Sequence, residues 1–109
     1  MPTVFNDAEL NELQSADTWE TLVDITASTT KSMRSLIAVN DDSTSAVVIN
    51  VIKTNTSNTR TSILVPPTLI PPDDFFVLDT FITLSTDRKV RVQATATTVS
   101  FQASIMEIT

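Results

Sequence analysis

From Thr18 onward, apolar and polar side chains alternate with a period of two, and this alternation limits the fold more than any other feature of the chain. A strand turns successive side chains to opposite faces, so a period of two describes a ribbon with one wet and one buried side. Trp19, Thr21, Val23 and Ile25 fall on one face of a first candidate strand. Met33, Ser35, Ile37 and Val39 fall on one face of a second, which ends at Asn40-Asp41-Asp42-Ser43. The run Val47-Val48-Ile49-Asn50-Val51-Ile52 is apolar on both faces, which predicts a central strand covered on two sides. Asn55-Thr56-Ser57-Asn58 reads as a polar turn, with Thr61 to Val65 returning antiparallel as a hairpin.

Pro66-Pro67 and Pro71-Pro72 bracket Thr68-Leu69-Ile70. Proline cannot donate to a strand ladder, so this stretch belongs on a sheet edge or in a crossover, where the chain would change sheets. Phe75 to Leu84 resumes an apolar strand and Ser85-Thr86-Asp87 is a turn. Val90, Val92, Ala94 and Ala96 then alternate with polar residues, and a last strand places Val99, Phe101, Ala103 and Ile105 on one face. Seven or eight strands result, and abundant Thr and Ser suit their outer faces. At 109 residues there is room for one core. The expectation is an all-β fold, a two-sheet antiparallel sandwich of jelly-roll type with a short N-terminal arm or helix.

The chain has no Gly, so left-handed backbone positions fall to Asn and Asp, which tolerate them better than other side chains. It also has no His, Cys or Tyr. The usual neutral-pH base, the thiolate nucleophile, thiolate metal ligands and the glycine phosphate cradle are therefore unavailable. The composition predicts a protein that is not an enzyme and uses no cofactor. No apolar run reaches the roughly 18–20 residues of a spanning helix, and Met1-Pro2-Thr3-Val4 does not read as an export signal, so a soluble protein without membrane partners is expected.

Charge is uneven. Asp7, Glu9, Glu12, Asp17, Glu20 and Asp24 occupy the first thirty residues with no Lys or Arg, and acids balance bases in the remainder. The net charge of −6 thus lies in that segment. Asn6-Asp7-Ala8-Glu9 resembles a helix cap leading into Leu10 and Leu13, so residues 1–17 are read as an acidic arm or short helix, and residues 18–109 as the sandwich. Phe5, Leu10 and Leu13, with Glu9 and Glu12 beside them, are candidate anchors by which such an arm would order on a partner.

Other candidates are few. Asp41-Asp42 and Asp73-Asp74 are paired carboxylates in loops, but a calcium site needs six to eight oxygens, and Asp is an ordinary turn former. Arg88, Lys89 and Arg91 form a small basic cluster. Arg88 and Lys89 would dock an acidic partner or guard a strand end, and a chain so acidic is not expected to bind nucleic acid. Trp19 serves either as a core plug or as an interface anchor.

The segment from Ser35 to Ile108 resembles small structural proteins of tailed bacteriophages. The resemblance rests on Ser35-Leu36-Ile37-Ala38-Val39-Asn40, Val47 to Ile52, the turn Asn55 to Asn58, Leu69-Ile70-Pro71-Pro72, Leu84-Ser85-Thr86-Asp87 and Ile105-Met106-Glu107-Ile108. Members commonly carry Gly where this chain has Asp73 and Thr86. The resemblance implies a virion component assembled in the host cytoplasm. The role it favours is capsid decoration (cement), with contacts to the major capsid protein or other virion proteins. A neck, tail or fibre subunit is the alternative within that class, and a carbohydrate-binding sandwich is the alternative outside it. Proline-marked edges in a small domain, together with the resemblance, predict self-association, a trimer first.

Overall fold

The computed structural model describes residues 3–10, 16–25, 30–79, 81–84 and 88–108. All regular structure among them is strand: β1 (Thr3–Leu10), β2 (Glu20–Ile25), β3 (Thr30–Asn40), β4 (Val47–Asn55), β5 (Arg60–Ile70), β6 (Phe75–Leu78), β7 (Ile82–Leu84), β8 (Arg88–Ala94) and β9 (Val99–Ile108). One sheet has the order β1-β9-β3-β6, with β7 also paired to β3, and the other has the order β2-β8-β4-β5. Every pairing is antiparallel. The chain crosses between sheets after β1, β2, β3, β5, β7 and β8, which is the winding of a jelly roll.

The core lies between the sheets. Val47, Ile49 and Val51 of β4, Val90, Val92 and Ala94 of β8, and Val99, Phe101, Ala103 and Ile105 of β9 are buried at alternate positions. The faces expected for β8 and β9 are the observed ones, except that Ala96 lies past the end of β8 and is half-buried. β4 is an inner strand, as expected. Its inner side faces the other sheet, while Ile52, 8% exposed, lies outside the main cluster.

Two faces differ from the alternation read in the sequence, and bulges account for both. Between Met33 and Ser35 the β3–β9 register shifts, so Met33 joins Leu36, Ala38 and Asn40 on the buried face. Ser35, Ile37 and Val39 are turned outward and stay half-buried. A second shift between Thr21 and Val23 buries both Leu22 and Val23. One extra residue in a strand reverses the parity of everything beyond it, which a period-two count cannot register.

The N-terminus is also corrected. Thr3–Leu10 form neither a helix nor an arm lying off the sandwich: Thr3 pairs with Ile108, Leu10 with Phe101, and each residue between has a partner on β9. β9 is thereby flanked on both sides, by β1 and β3. The expected division at residue 17 has sheet pairing on both sides of it.

The turns follow the prediction made for a chain without glycine. Positive φ occurs at Asp17 (58°), Asn58 (64°) and Asp73 (53°), all Asn or Asp. Asn58 closes the β4–β5 hairpin, where the Asn55 side chain accepts from the backbone N–H of Ser57 and Thr59. Asp73 lies in the turn joining β5 to β6, the expected change of sheet. Pro66 and Pro67 lie within β5, an edge strand, where a missing N–H costs no ladder bond on the open side. The single strand expected over Phe75 to Leu84 is broken into β6 and β7, and the turn expected at 85–87 lies outside the described residues.

Candidate interaction surface

Five large apolar side chains are exposed among the described residues: Ile63, Leu69, Phe75, Val77 and Phe81. Ile63 and Leu69 lie on β5, Phe75 and Val77 on β6, and Phe81 just beyond β6. β5 and β6 end their respective sheets on the same side of the sandwich, so side chains pointing away from the core there have no further strand beside them. On β6, Phe76 and Leu78 pack against the core, which forces Phe75 and Val77 outward. Phe75 sits opposite Val39 and Val77 opposite Ile37, so four apolar side chains form a continuous strip on the outer face of β3 and β6. Phe75 is 60% exposed and Phe81, just beyond β6, is 66% exposed. Arg34 lies over the Phe81 ring, 5.8 Å from its centre, a cation–π distance. With Ser35, Asp79 and Ser104 these two residues line a depression of about 410 Å³.

The acid pairs lie at the opposite end of the strip. Asp73 N–H donates to the Asp42 carbonyl (3.0 Å) and Asn40 N–H to that of Asp74 (2.9 Å), so the two loops are laced together. Two of their carboxylates, those of Asp42 and Asp74, work as turn caps. Asp42 accepts from Thr44 N–H (2.9 Å), Thr44 hydroxyl (3.0 Å) and Ser45 N–H (3.1 Å), and these bonds hold its pKa below the ordinary value. Asp74 accepts from Phe75 N–H at 2.8 Å. Among the described residues no group of three or more His, Cys, Asp or Glu is gathered for a metal.

On the outer face of the second sheet, Trp19 lines a concavity of about 660 Å³ with Asn50, Ile52, Asn58, Arg60 and Ile63. Trp19 is half-buried and outside the core cluster, so it is a surface wall and not a core plug. Its carbonyl accepts from Arg91 Nη2 at 2.9 Å, and the Asp17 carbonyl accepts from Gln93 Nε2 at 2.9 Å. The approach to β2 is thereby fastened to β8.

Of the residues singled out in the sequence, Phe5, Glu9 and Leu10 lie on β1, where their backbones pair with Met106, Gln102 and Phe101. Glu12 and Leu13 lie outside the described residues. Arg88 and Lys89 open β8, in the sheet that does not carry the apolar strip, and Lys89 Nζ donates to Asn58 Oδ1 at 3.3 Å. The strip itself was not singled out. Its signal was present as Phe75-Phe76 and Ile37-Val39, but alternation alone does not say which of two apolar faces is left bare.

No protein-family model and no curated protein matches the chain. Solved structures do. A subunit of Bacillus endospore appendages, described as a family of disulfide-linked pili, aligns over 98% of this chain and 88% of its own, with TM-score 0.60 and 13% identity. A capsid protein of a Helicobacter pylori bacteriophage aligns over 96% and 86%, with TM-score 0.57 and 10% identity. A chain of the IBDV viral particle aligns over 96% of this chain but only 30% of its own, with TM-score 0.54 and 9% identity. At such identities the likeness is one of fold: the class defined is an all-β, two-sheet jelly roll. This chain has no cysteine, so it has no means of making the disulfide links for which the pili are described.

Proposed function

We propose that this chain is a structural subunit of a virion, working by protein–protein contact as a decoration protein on the capsid shell. The observation that carries the reading is the set of large apolar side chains left exposed on and beside β5 and β6, edge strands of a small sandwich. Large exposed apolar patches mark contact surfaces, because leaving them in water costs about 25 cal/mol per Å². The jelly-roll fold, shared along nearly the whole chain with shell and pilus subunits, supports it. So does a composition without His or Cys, which offers no ordinary base or thiolate for catalysis. In this reading the N-terminal segment meets the shell, with Phe5, Glu9 and Leu10 of β1, the outermost strand of its sheet, and Glu12 and Leu13 after it as contacts, and Arg88 and Lys89 facing an acidic neighbour.

Co-sedimentation with purified shells lacking the protein tests the reading. Saturable binding that stabilises the shells against heat is expected, and shells left unbound at saturating protein would contradict it. A saccharide-binding module is the second reading, favoured by Trp19 at the wall of a concavity that also carries Asn50, Asn58 and Arg60. Trp19 is the single tryptophan, so its fluorescence reports occupancy directly. A saturable change with a soluble oligosaccharide would support that alternative.

A further inference from the structure

We propose that the outer face of β3 and β6 is a two-fold contact between two copies of this chain, an inference that rests on the structural-subunit reading above. The strip of Ile37, Val39, Phe75 and Val77 is apolar, and Phe81 stands beyond it across the polar depression of Ser35 and Asp79. Beside it on β9 lie Ser100, opposite Val39, and Gln102, opposite Ile37, small or uncharged groups that another sheet face can approach. Without β1, the strands of this face hold ten (β9), eleven (β3), four (β6) and three (β7) residues, and at about 4.8 Å between strands and about 3.3 Å per residue they give a face of roughly 440 Å². That is a little over half of the roughly 800 Å² each partner contributes to a standard interface, the size of a weak, reversible contact.

The second copy is favoured over other occupants by the charge at the two ends. At the end marked by Val39 and Phe75 stand Asp41, Asp73 and Asp74, all exposed. At the other stands Arg34 on Phe81, with Asp79 beside it. The strip thus runs from a purely acidic end to one that carries a guanidinium. A two-fold axis through its middle, near Val77, reverses one strip on the other and sets each acidic end against the other copy's Arg34, while apolar side chains meet in the centre. This arrangement is self-complementary, as an isologous contact must be. Contact is face to face and not by strand addition, because β6 and β7 are only four and three residues long and are interrupted between them.

The test uses the absence of native cysteine. Sedimentation of the full chain is expected to show a monomer–dimer equilibrium. Val77→Cys, close to the axis, should be linked to its own copy by a short bis-maleimide, whereas Ser57→Cys, in the β4–β5 turn, should not. Phe75→Asp should weaken the dimer by roughly 30-fold or more, as loss of an interface hot spot does, and Arg34→Glu should weaken it less, with increasing salt narrowing that difference. A stable monomer at high concentration, a trimer that does not link through Val77→Cys, or a dimer indifferent to Phe75→Asp would each overturn the proposal. Shell binding by a monomer would overturn this contact while leaving the structural-subunit reading intact.

Discussion

Asn40 ends β3 on the buried face and is fully enclosed, which is costly for an amide unless its groups are matched. They are. Its Nδ2 donates to the carbonyls of Ser45 (2.9 Å), Pro71 (3.1 Å) and, more weakly, Ile70 (3.3 Å), and its Oδ1 accepts from Asp42 N–H (3.0 Å). One side chain therefore ties the end of β3 to the loop before β4 and to the β5–β6 turn. Asn40→Ala should lower unfolding free energy by about 2–3 kcal/mol, because several buried groups lose their partner together. Denaturant titration measures it, and an unchanged midpoint would contradict this account of Asn40. Asp42 gives a pH-dependent counterpart. Its pKa is lowered by hydrogen bonds from Thr44 and Ser45, so ionised Asp42 stabilises the fold above the ordinary value of 3.8, and that contribution is lost as pH falls through the depressed value. Asp42→Ala should be less stable than the parent at neutral pH, and the gap in melting temperature should narrow progressively below 3.8.

Among the elements, β9 is an inner strand on which the first sheet is built. Its inward residues Val99, Phe101, Ala103 and Ile105 are all buried, and β1 and β3 flank it. Removing residues 2–10 would strip eight paired residues from one side and open an edge, so the truncated chain should melt earlier and aggregate. A truncated protein that folds and melts like the parent would show that β1 is dispensable. The strands from β4 to β9 were largely legible, because a period of two, the prolines of β5 and the Asn and Asp turns each have a local physical cause. The features that the sequence does not show have non-local causes. Thr3–Leu10 carries a helix-cap pattern at Asn6–Glu9 that pairing with β9 overrides, and the bulges near Arg34 and Leu22 exchange faces without changing composition. The candidate surface was legible least. Ile37, Val39, Phe75 and Val77 become one strip only because β3 and β6, distant in sequence, are set side by side with nothing beyond them.

At the scale of the whole molecule, two sheets close around one core of Val, Ile, Leu, Ala, Met33 and a single fully buried Phe, and the strip on β3 and β6 leaves large apolar side chains on the outer face of the first sheet. A jelly roll with such a side is suited to tiling, since it offers a rigid face for contact. β1 and β6 lie at opposite ends of one sheet with β9 and β3 between them, which leaves the two ends free to meet different neighbours. The central claim, that this chain is a virion structural subunit decorating the shell, is tested most directly by its copy number in purified particles, counted by quantitative mass spectrometry against the major capsid protein. Shell decoration predicts hundreds of copies per particle, in a fixed ratio to the capsid protein. A few copies to a few dozen would place it at the neck or tail, and absence from the particle would contradict the account.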